Sequence, residues 1–393
     1  MKIGLLTHHW PANFGANLQA FSTVRALERL GHSVHVLNYR PPKMAARYNA
    51  VVDSLQGELH ENFISEYMQE TRICSNQSEL EAVARELSLE CVICGSDAVL
   101  RLQSDSDRED LSFPNPFWLG WVDKGVRTGF LAASCMGSQY FMLPKQTRRA
   151  IAKAAKALDF CTVRDSWSRW MLRFCGVPAA QVHHCPDPVC GIHAALEGID
   201  TSRPDGGDEP YILMSLYPPM LPEAWVEGFV KEANRRGFQV YALPQPDVEA
   251  KGPYNRLLSL PMTPLDWYRW IANASGYVGI RFHPIMLSQI NSVPYVALDE
   301  YDVGLLFKPR YLRFLARLVR PFTRRCSKTY DASQRVAKER YCIPPRSYAQ
   351  MTPIKVLDLL VEQQGRPRLD CCNSEREQLY FNTLKRIVGQ KDC

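Results

Sequence analysis

Apolar runs and helical stretches alternate along the start of the chain. The apolar run "MKIGLLTHH" leads through the loop "WPANFGAN" into "LQAFSTVRALERLG", where apolar residues recur at helical spacing up to Gly31, a typical C-cap. A second apolar run, "HSVHVLNYR", follows directly. This strand–helix–strand pattern predicts a βαβ unit, and hence a parallel sheet with a right-handed crossover.

The same alternation continues in two stretches separated by a polar segment. The segment "LEGIDTSRPDGGDEP" is acidic and rich in Gly, Pro and Asp, as linkers are. The pattern predicts two Rossmann-like α/β lobes with parallel sheets, GT-B-like, with a ligand between the lobes at the carboxyl ends of the strands. The expected division is 1–195 for the N-terminal lobe, 196–210 for the linker, 211–365 for the C-terminal lobe and 366–393 for a C-terminal tail.

Composition excludes several classes of protein. The net charge of +6 over 393 residues does not indicate a dedicated nucleic-acid-binding protein. The start "MKIGLLTHHW" lacks a signal pattern, and no window approaches the roughly 18 apolar residues of a membrane-spanning helix. The 13 Cys follow no repeating frame, which favours reduced thiols. We expect a cytoplasmic protein.

The stretch "YVGIRFHPIML" places Arg281 and His283 at the end of a predicted strand. Two residues apart in an extended chain, they would lie on the same side. The functional interpretation is anion binding by Arg281, with His283 delivering or accepting a proton near the next helix start. The structural alternative is that Arg281 pairs with a carboxylate and His283 caps that helix.

A second arginine, Arg164 in "CTVRDSWS", also ends a predicted strand and precedes a helix. The alternative to a ligand-binding role is an interdomain salt bridge. If the lobes face each other, Arg164 could reach the same cleft as Arg281. Two guanidinium groups would suit a small substrate with two anionic groups, because each can hold a phosphate or carboxylate through two hydrogen bonds.

Two loops supply further candidates for substrate binding. The loop "PANFGANLQ" leads into the first helix, whose amides form a generic anion or hydroxyl site, but it is not a GxGxxG fingerprint. The element "ICGSD" ends a strand in small and polar residues that either line a cleft or simply turn the chain. The candidate residues in these loops are Asn13, Gly15, Asn17, Gln19, Ser96 and Asp97.

The sequence favours no metal site. The cluster "HHCPDPVCGIH" contains three His and two Cys, but its spacing matches no standard zinc pattern and two prolines interrupt it. Cys91 and Cys94 form a CxxC inside a predicted strand, where they would point to opposite faces, as core residues do.

Residues 308–328, "KPRYLRFLARLVRPFTRRCSK", hold eight basic residues and no acidic one, with apolar residues at helical spacing. A basic amphipathic helix of this kind fits an anionic membrane surface, where each Lys or Arg contributes on the order of 1 kcal/mol. The alternative is a solvated helix whose apolar stripe packs on the C-terminal lobe.

Several motifs together resemble the polysaccharide pyruvyl transferase family, in order over about residues 1–300. The opening is similar to the family's first βαβ with its N-x-G-x-x-L-Q-A pattern. The other similar elements are "CVICGSDAVL", "TVRDSWS", "HCPDPV" and "GIRFHPIMLSQINSVPYVALD". This sequence departs from the family at Pro284, where Gly is usual, and at Leu100, where Trp is usual.

The resemblance implies a GT-B-like fold and transfer of the pyruvyl group of phosphoenolpyruvate to two hydroxyls of a sugar in a cell-surface polysaccharide or lipid-linked precursor, forming a ketal. By resemblance, Arg164, Arg281 and His283 fall on donor-binding positions, with His283 as acid or base. No metal or organic cofactor is implied. Lipid-linked glycan intermediates would place the protein at the inner face of the cell membrane.

Two other functions stay open at this stage. A nucleotide-sugar glycosyltransferase of the same architecture would need a carboxylate for the ribose, which "ALDEYD" offers at Asp299, Glu300 and Asp302. A non-catalytic protein of a glycan-assembly complex would use the basic segment 308–328 to associate with the membrane.

Overall fold

The computed structural model describes residues 1–103, 106–216, 220–245, 251–299, 327–364 and 370–390. The chain forms two compact units, one of Met1–Ile199 with Glu375–Cys393 and the other of Asp200–Ser374. Each unit contains a six-stranded sheet whose paired strands run parallel, with helices between most successive strands. The predicted α/β class with two Rossmann-like lobes is confirmed.

The sheet of the N-terminal unit has the strand order β2-β1-β3-β4-β5-β6. Its strands are β1 Lys2–Leu6, β2 Ser33–Val36, β3 Cys91–Cys94, β4 Arg127–Ala133, β5 Phe160–Val163 and β6 His183–His184. Its helices are α1 Phe14–Arg29, α2 Pro42–Asn49, α3 Ser54–Tyr67, α4 Gln77–Glu86, α5 Lys145–Lys156, α6 Ser166–Cys175 and α7 Ile192–Ala195. The predicted β1–α1–β2 unit is confirmed.

Local sequence explains how the first elements begin and end. The side chain of Asn13 accepts a hydrogen bond from the amide of Ala16 and so caps α1 at its start. Gly31, at φ +84°, ends the helix in the left-handed conformation that glycine adopts without strain. All four residues of β3 are buried, as expected for a central parallel strand, so Cys91 and Cys94 are core residues.

The sheet of the C-terminal unit has the strand order β12-β11-β10-β7-β8-β9. Its strands are β7 Tyr211–Ser215, β8 Gln239–Ala242, β9 Arg256–Leu257, β10 Gly276–Gly279, β11 Tyr295–Leu298 and β12 Cys342–Ile343. Its helices are α8 Glu223–Arg235, α9 Pro264–Ala272, α10 Phe282–Ile290, α11 Lys328–Gln334 and α12 Pro353–Gln364. The core of this unit includes Phe229 of α8, Val278 of β10 and Leu357 of α12.

The end of the chain forms the helix α13, Asp370–Ile387. We expected a separate tail from residue 366, but residues 375–393 group with the N-terminal unit. A Cβ on Gly191 would meet the ring of Tyr380 at 2.9 Å, so the helix packs closely there. Arg127 also donates to the carbonyl of Arg386 at 3.2 Å. Contacts distant in sequence therefore fix the end of the chain.

Candidate functional site

The carboxyl edge of the N-terminal sheet is held by a buried polar network. Gln19 donates to the hydroxyl of Thr7 at 2.9 Å and accepts from the amide of Ser96 at 3.2 Å. The Thr7 hydroxyl donates to the carbonyl of Ser96 at 3.2 Å. These hydrogen bonds join the chain after β1, the helix α1 and the chain after β3 at the carboxyl edge of the sheet.

Arg164 extends this network from the end of β5. Its Nη1 donates to Asp187 at 2.6 Å and to the Ser96 hydroxyl at 3.3 Å, and its Nη2 donates to Asp97 at 3.0 Å. Arg164 is 5% exposed. Burial acts to lower its pKa, but Asp187 and Asp97 outweigh burial and leave the pKa raised. The guanidinium therefore stays charged, and both carboxylates belong to the same unit as Arg164.

Of the remaining candidates in the first loop, Gly15 and Asn17 are buried and Asn13 is exposed. Asn17 donates to the carbonyl of His9, and its side-chain oxygen contacts Nδ1 of His60 at 2.5 Å. Asn13 serves as the cap of α1, and Gly15 lies in the first turn of that helix. Their polar groups fix the loop between β1 and α1, so a role in binding substrate stays a prediction.

The structure adds His8 to this edge, a residue that the sequence analysis did not single out. His8 follows β1 and is half-buried, with its ring centroid 4.8 Å from that of Phe117. Burial lowers its pKa, against the opposing charges of Asp97 and Asp110. A neutral imidazole at neutral pH can accept a proton. The sequence feature that could have indicated His8 is the polar "THH" at the carboxyl end of a strand, where open α/β sheets bind ligands.

In the C-terminal unit, the argument from strand alternation at Arg281 and His283 is wrong. The strand β10 stops at Gly279 and α10 begins at Phe282, so the two residues do not share one extended segment. Gly279 ends the strand in tight surroundings, because a Cβ there would meet the Tyr277 hydroxyl at 2.3 Å. Arg281, rather than His283, is the N-cap residue of α10, and its side chain makes no capping hydrogen bond.

The start of α10 has the features of an anion site. Arg281 and His283 are both half-buried at the N-terminus of this helix, where backbone amides and the helix dipole favour negative charge. The ammonium of Lys328 lies 5.0 Å from the ring centroid of Phe282 and brings a second cation to the same turn. Pro284, one of the two departures from the family pattern, has no N–H and so removes one amide donor from this turn.

Asp299, at the end of β11, is buried and already bound. Its carboxylate accepts from the Ser327 hydroxyl at 2.8 Å, and its carbonyl accepts from the Tyr348 hydroxyl at 2.7 Å. The other two carboxylates offered for a ribose, at positions 300 and 302, lie outside the described residues. Asp299 thus helps to fix the end of β11.

Three other sequence expectations concern metals and membranes. Within the described ranges, no group of three or more His, Cys, Asp or Glu could hold a metal ion. In the 183–193 cluster, burial raises the pKa of the Cys190 thiol to about 11, which disfavours the thiolate that a metal would bind. The helix predicted over 308–328 lies outside the described residues except for its last two. Among the described helices, none combines the length and apolar character needed to cross a membrane.

The two parallel α/β sheets place this chain among GT-B-like proteins. The S. aureus MnaA–UDP co-structure gives a TM-score of 0.56 at 12% identity, covering 100% of this chain and 98% of that one. The Neisseria meningitidis UDP-GlcNAc 2-epimerase bound to UDP-GlcNAc gives 0.54 at 11% identity, covering 98% and 100%. The Methanocaldococcus jannaschii UDP-GlcNAc 2-epimerase gives 0.55 at 11% identity, covering 94% of each. At these identities the likeness concerns the fold alone.

The family follows from sequence. The model of the family described as polysaccharide pyruvyl transferase matches residues 13–301, well over half of the chain. The protein belongs to the polysaccharide pyruvyl transferase family, as the motifs indicated. No curated protein matches the chain.

Proposed function

We propose that the protein transfers the pyruvyl group of phosphoenolpyruvate to two hydroxyls of a sugar, forming a pyruvate ketal on a cell-surface polysaccharide or lipid-linked glycan precursor. Family membership supports the reaction class. The observation that carries the donor assignment is the cationic start of α10, where Arg281 is the N-cap residue and Lys328 lies over Phe282.

The donor has a phosphate and a carboxylate, and each needs a cation. Arg281 offers a planar pair of donors suited to either group, and Lys328 supplies a point charge beside Phe282. In the N-terminal unit, Arg164 is already bound to Asp187 and Asp97, so we propose that it holds Asp97 and Ser96 in position. Under this proposal Arg164 is a positioning residue rather than a direct donor ligand.

The chemistry requires a proton and two attacks on one carbon. The first sugar hydroxyl adds to C2 of phosphoenolpyruvate while C3 takes a proton and becomes a methyl group. Phosphate then leaves C2, the second hydroxyl adds there, and both hydroxyl protons pass to a base or to water. His283, next to Arg281 at the start of α10, is our candidate for the acid or the base in these steps.

We propose that the acceptor is a sugar of a glycan or of a lipid-linked precursor, and that the reaction takes place at the inner face of the cell membrane. The basic segment 308–328, without an acidic residue, would bring the chain to anionic lipids. The nucleotide-sugar alternative has less support, because the described carboxylate at the end of β11, Asp299, is already engaged by Ser327.

A deuterium experiment tests the reaction. The protein is incubated in D₂O with phosphoenolpyruvate and a panel of hexose-containing glycans, and the products are analysed by mass spectrometry. The proposal predicts phosphate release and a ketal whose methyl group carries one deuterium. His283→Asn should lose turnover and keep its fold, whereas the control Arg235→Ala, an exposed change on α8, should react as the wild type does. Release of a nucleoside diphosphate from nucleotide sugars, without ketal formation, would contradict the proposal.

A further inference from the structure

A partly exposed aromatic ridge lies on the N-terminal unit, on the helix α6 and on the short turn Tyr140–Met142 that follows β4. We define the aromatic ridge as Phe141, Met142, Trp167, Trp170 and Phe174. Met142 is 73% exposed, Trp170 47% and Phe174 43%. The ring centroids of Trp167 and Trp170 are 5.3 Å apart, those of Trp170 and Phe174 are 5.7 Å apart, and Phe141 lies within 6.3 Å of all three rings.

The outer members of the ridge do not serve the core of the unit. The buried residues of α6 are Trp167, Ser168, Met171 and Leu172, so Trp167 forms the inner base of the ridge. Trp170 and Phe174 are four residues apart and therefore occupy one outward face of the helix. Large apolar side chains that are exposed and contiguous mark an interaction surface.

The surface around the ridge is basic. The helices α5 and α6 pack together, and their exposed or half-exposed basic residues are Lys145, Arg148, Arg149, Lys153, Lys156, Arg169 and Arg173. The guanidinium of Arg148 lies 5.3 Å from the ring centroid of Phe174. Between residues 134 and 186 the only acidic residues are Asp159 and Asp165. Asp165 is buried as the cap of α6, and Asp159 accepts from the amide of Thr128 at 2.7 Å.

We propose that the aromatic ridge and its basic surround dock the N-terminal unit on an anionic lipid bilayer. Trp, Phe and Met side chains favour the boundary between head groups and acyl chains, and the Lys and Arg side chains would bind anionic head groups. Charge selects this occupant over a second copy of the chain, because two such faces would bring fourteen cations together. The ridge belongs to a different stretch of the chain from segment 308–328 and does not depend on the pyruvyl reaction.

Vesicle binding tests the proposal with the full-length chain. Flotation is measured with phosphatidylglycerol–phosphatidylcholine vesicles and with pure phosphatidylcholine vesicles. Each basic residue near the surface contributes about fivefold to binding, so Lys153→Glu with Arg169→Glu should weaken binding to the anionic vesicles at least about 25-fold. Trp170→Ser with Met142→Ser should also weaken binding, by an order of magnitude. The matched control, Ile354→Ser with Lys231→Glu, changes an exposed apolar and an exposed basic residue of the C-terminal unit and should bind as the wild type does.

A second readout locates the contact. Brominated phosphatidylcholine in the anionic vesicles should quench the fluorescence of the wild type, and Trp170→Phe should lose much of that quenching while still binding. Undiminished binding in both double variants, that of the ridge and that of its basic surround, would overturn the proposal and leave segment 308–328 as the source of membrane affinity. Absence of binding to anionic vesicles would overturn it as well. A dimer in sedimentation that dissociates in Trp170→Ser would assign the ridge to a second copy instead.

Discussion

Replacing Arg164 by methionine is the perturbation that best separates structural from ligand-binding roles at the N-terminal edge. The variant Arg164→Met keeps much of the side-chain length but removes the charge that faces Asp187 and Asp97. The side chain of Asp187 is 1% exposed, so its carboxylate would remain buried without its cation. Breaking a buried ion pair in this way costs about 3–5 kcal/mol. That loss is a large part of the total stability of about 5–15 kcal/mol expected for a folded unit.

The measurement is urea unfolding at pH 7, followed by tryptophan fluorescence. Arg164→Met should lose about 3–5 kcal/mol. Adding Asp187→Asn should recover part of that loss, with an interaction energy of about 1–3 kcal/mol between the two sites. The exposed control Arg169→Met should change stability by less than about 0.5 kcal/mol. A loss below about 1 kcal/mol in Arg164→Met would refute the structural role and return Arg164 to the group of direct donor ligands.

Three further predictions follow from burial and close packing. Burial lowers the pKa of His60 to about 4, so the unfolded chain binds a proton that the folded chain does not as the pH falls below about 6.5. Because of this group, the free energy of unfolding should fall by about 3 kcal/mol in total between about pH 6.5 and 4. In His60→Gln, the urea midpoint should therefore depend less on pH over that window. An unchanged dependence of the midpoint on pH in this variant would count against the prediction. Gly95→Ala should abolish soluble expression or lower the melting temperature by many degrees, because Gly95 has φ +126° and the new Cβ would lie 2.2 Å from the carbonyl oxygen of Leu131. In the control Gly57→Ala, the new Cβ meets no atom within 4 Å, so this change should be tolerated. Eight described cysteines are buried, so their thiols should react with a disulfide reagent only after unfolding, and fast labelling of all 13 in the native protein would contradict the burial.

The fold could be predicted because local patterns and tertiary structure agree. Alternating apolar runs and amphipathic stretches indicated parallel strands and crossover helices, and Gly31 marked the end of α1 correctly. The boundary at Arg281 was harder, because the apolar residues on both sides suit a strand and a helix equally. The close approach of Gly279 to Tyr277 and Ser215, which accompanies the end of β10, involves a neighbouring strand and is not visible in local sequence.

The candidate site was predictable in its residue types but not in their partners. The sequence indicated Arg164, but Asp187 lies 23 residues further along the chain and meets it only in the folded unit. Lys328 belonged to a predicted membrane helix, yet its ammonium lies beside Phe282 at the start of α10. His8 was missed because a polar pair after a short strand also suits an ordinary turn.

The most direct test of the central claim is a thermal-shift titration with phosphoenolpyruvate beside uridine and guanosine diphosphates. A ligand at about 100 times its dissociation constant adds roughly 2.7 kcal/mol, which should raise the midpoint by several degrees. We expect that rise with phosphoenolpyruvate, its loss in Arg281→Ala and Lys328→Ala, and its retention in the control Arg235→Ala. A rise with a nucleoside diphosphate and none with phosphoenolpyruvate would contradict the proposed donor and assign the chain to nucleotide-sugar chemistry.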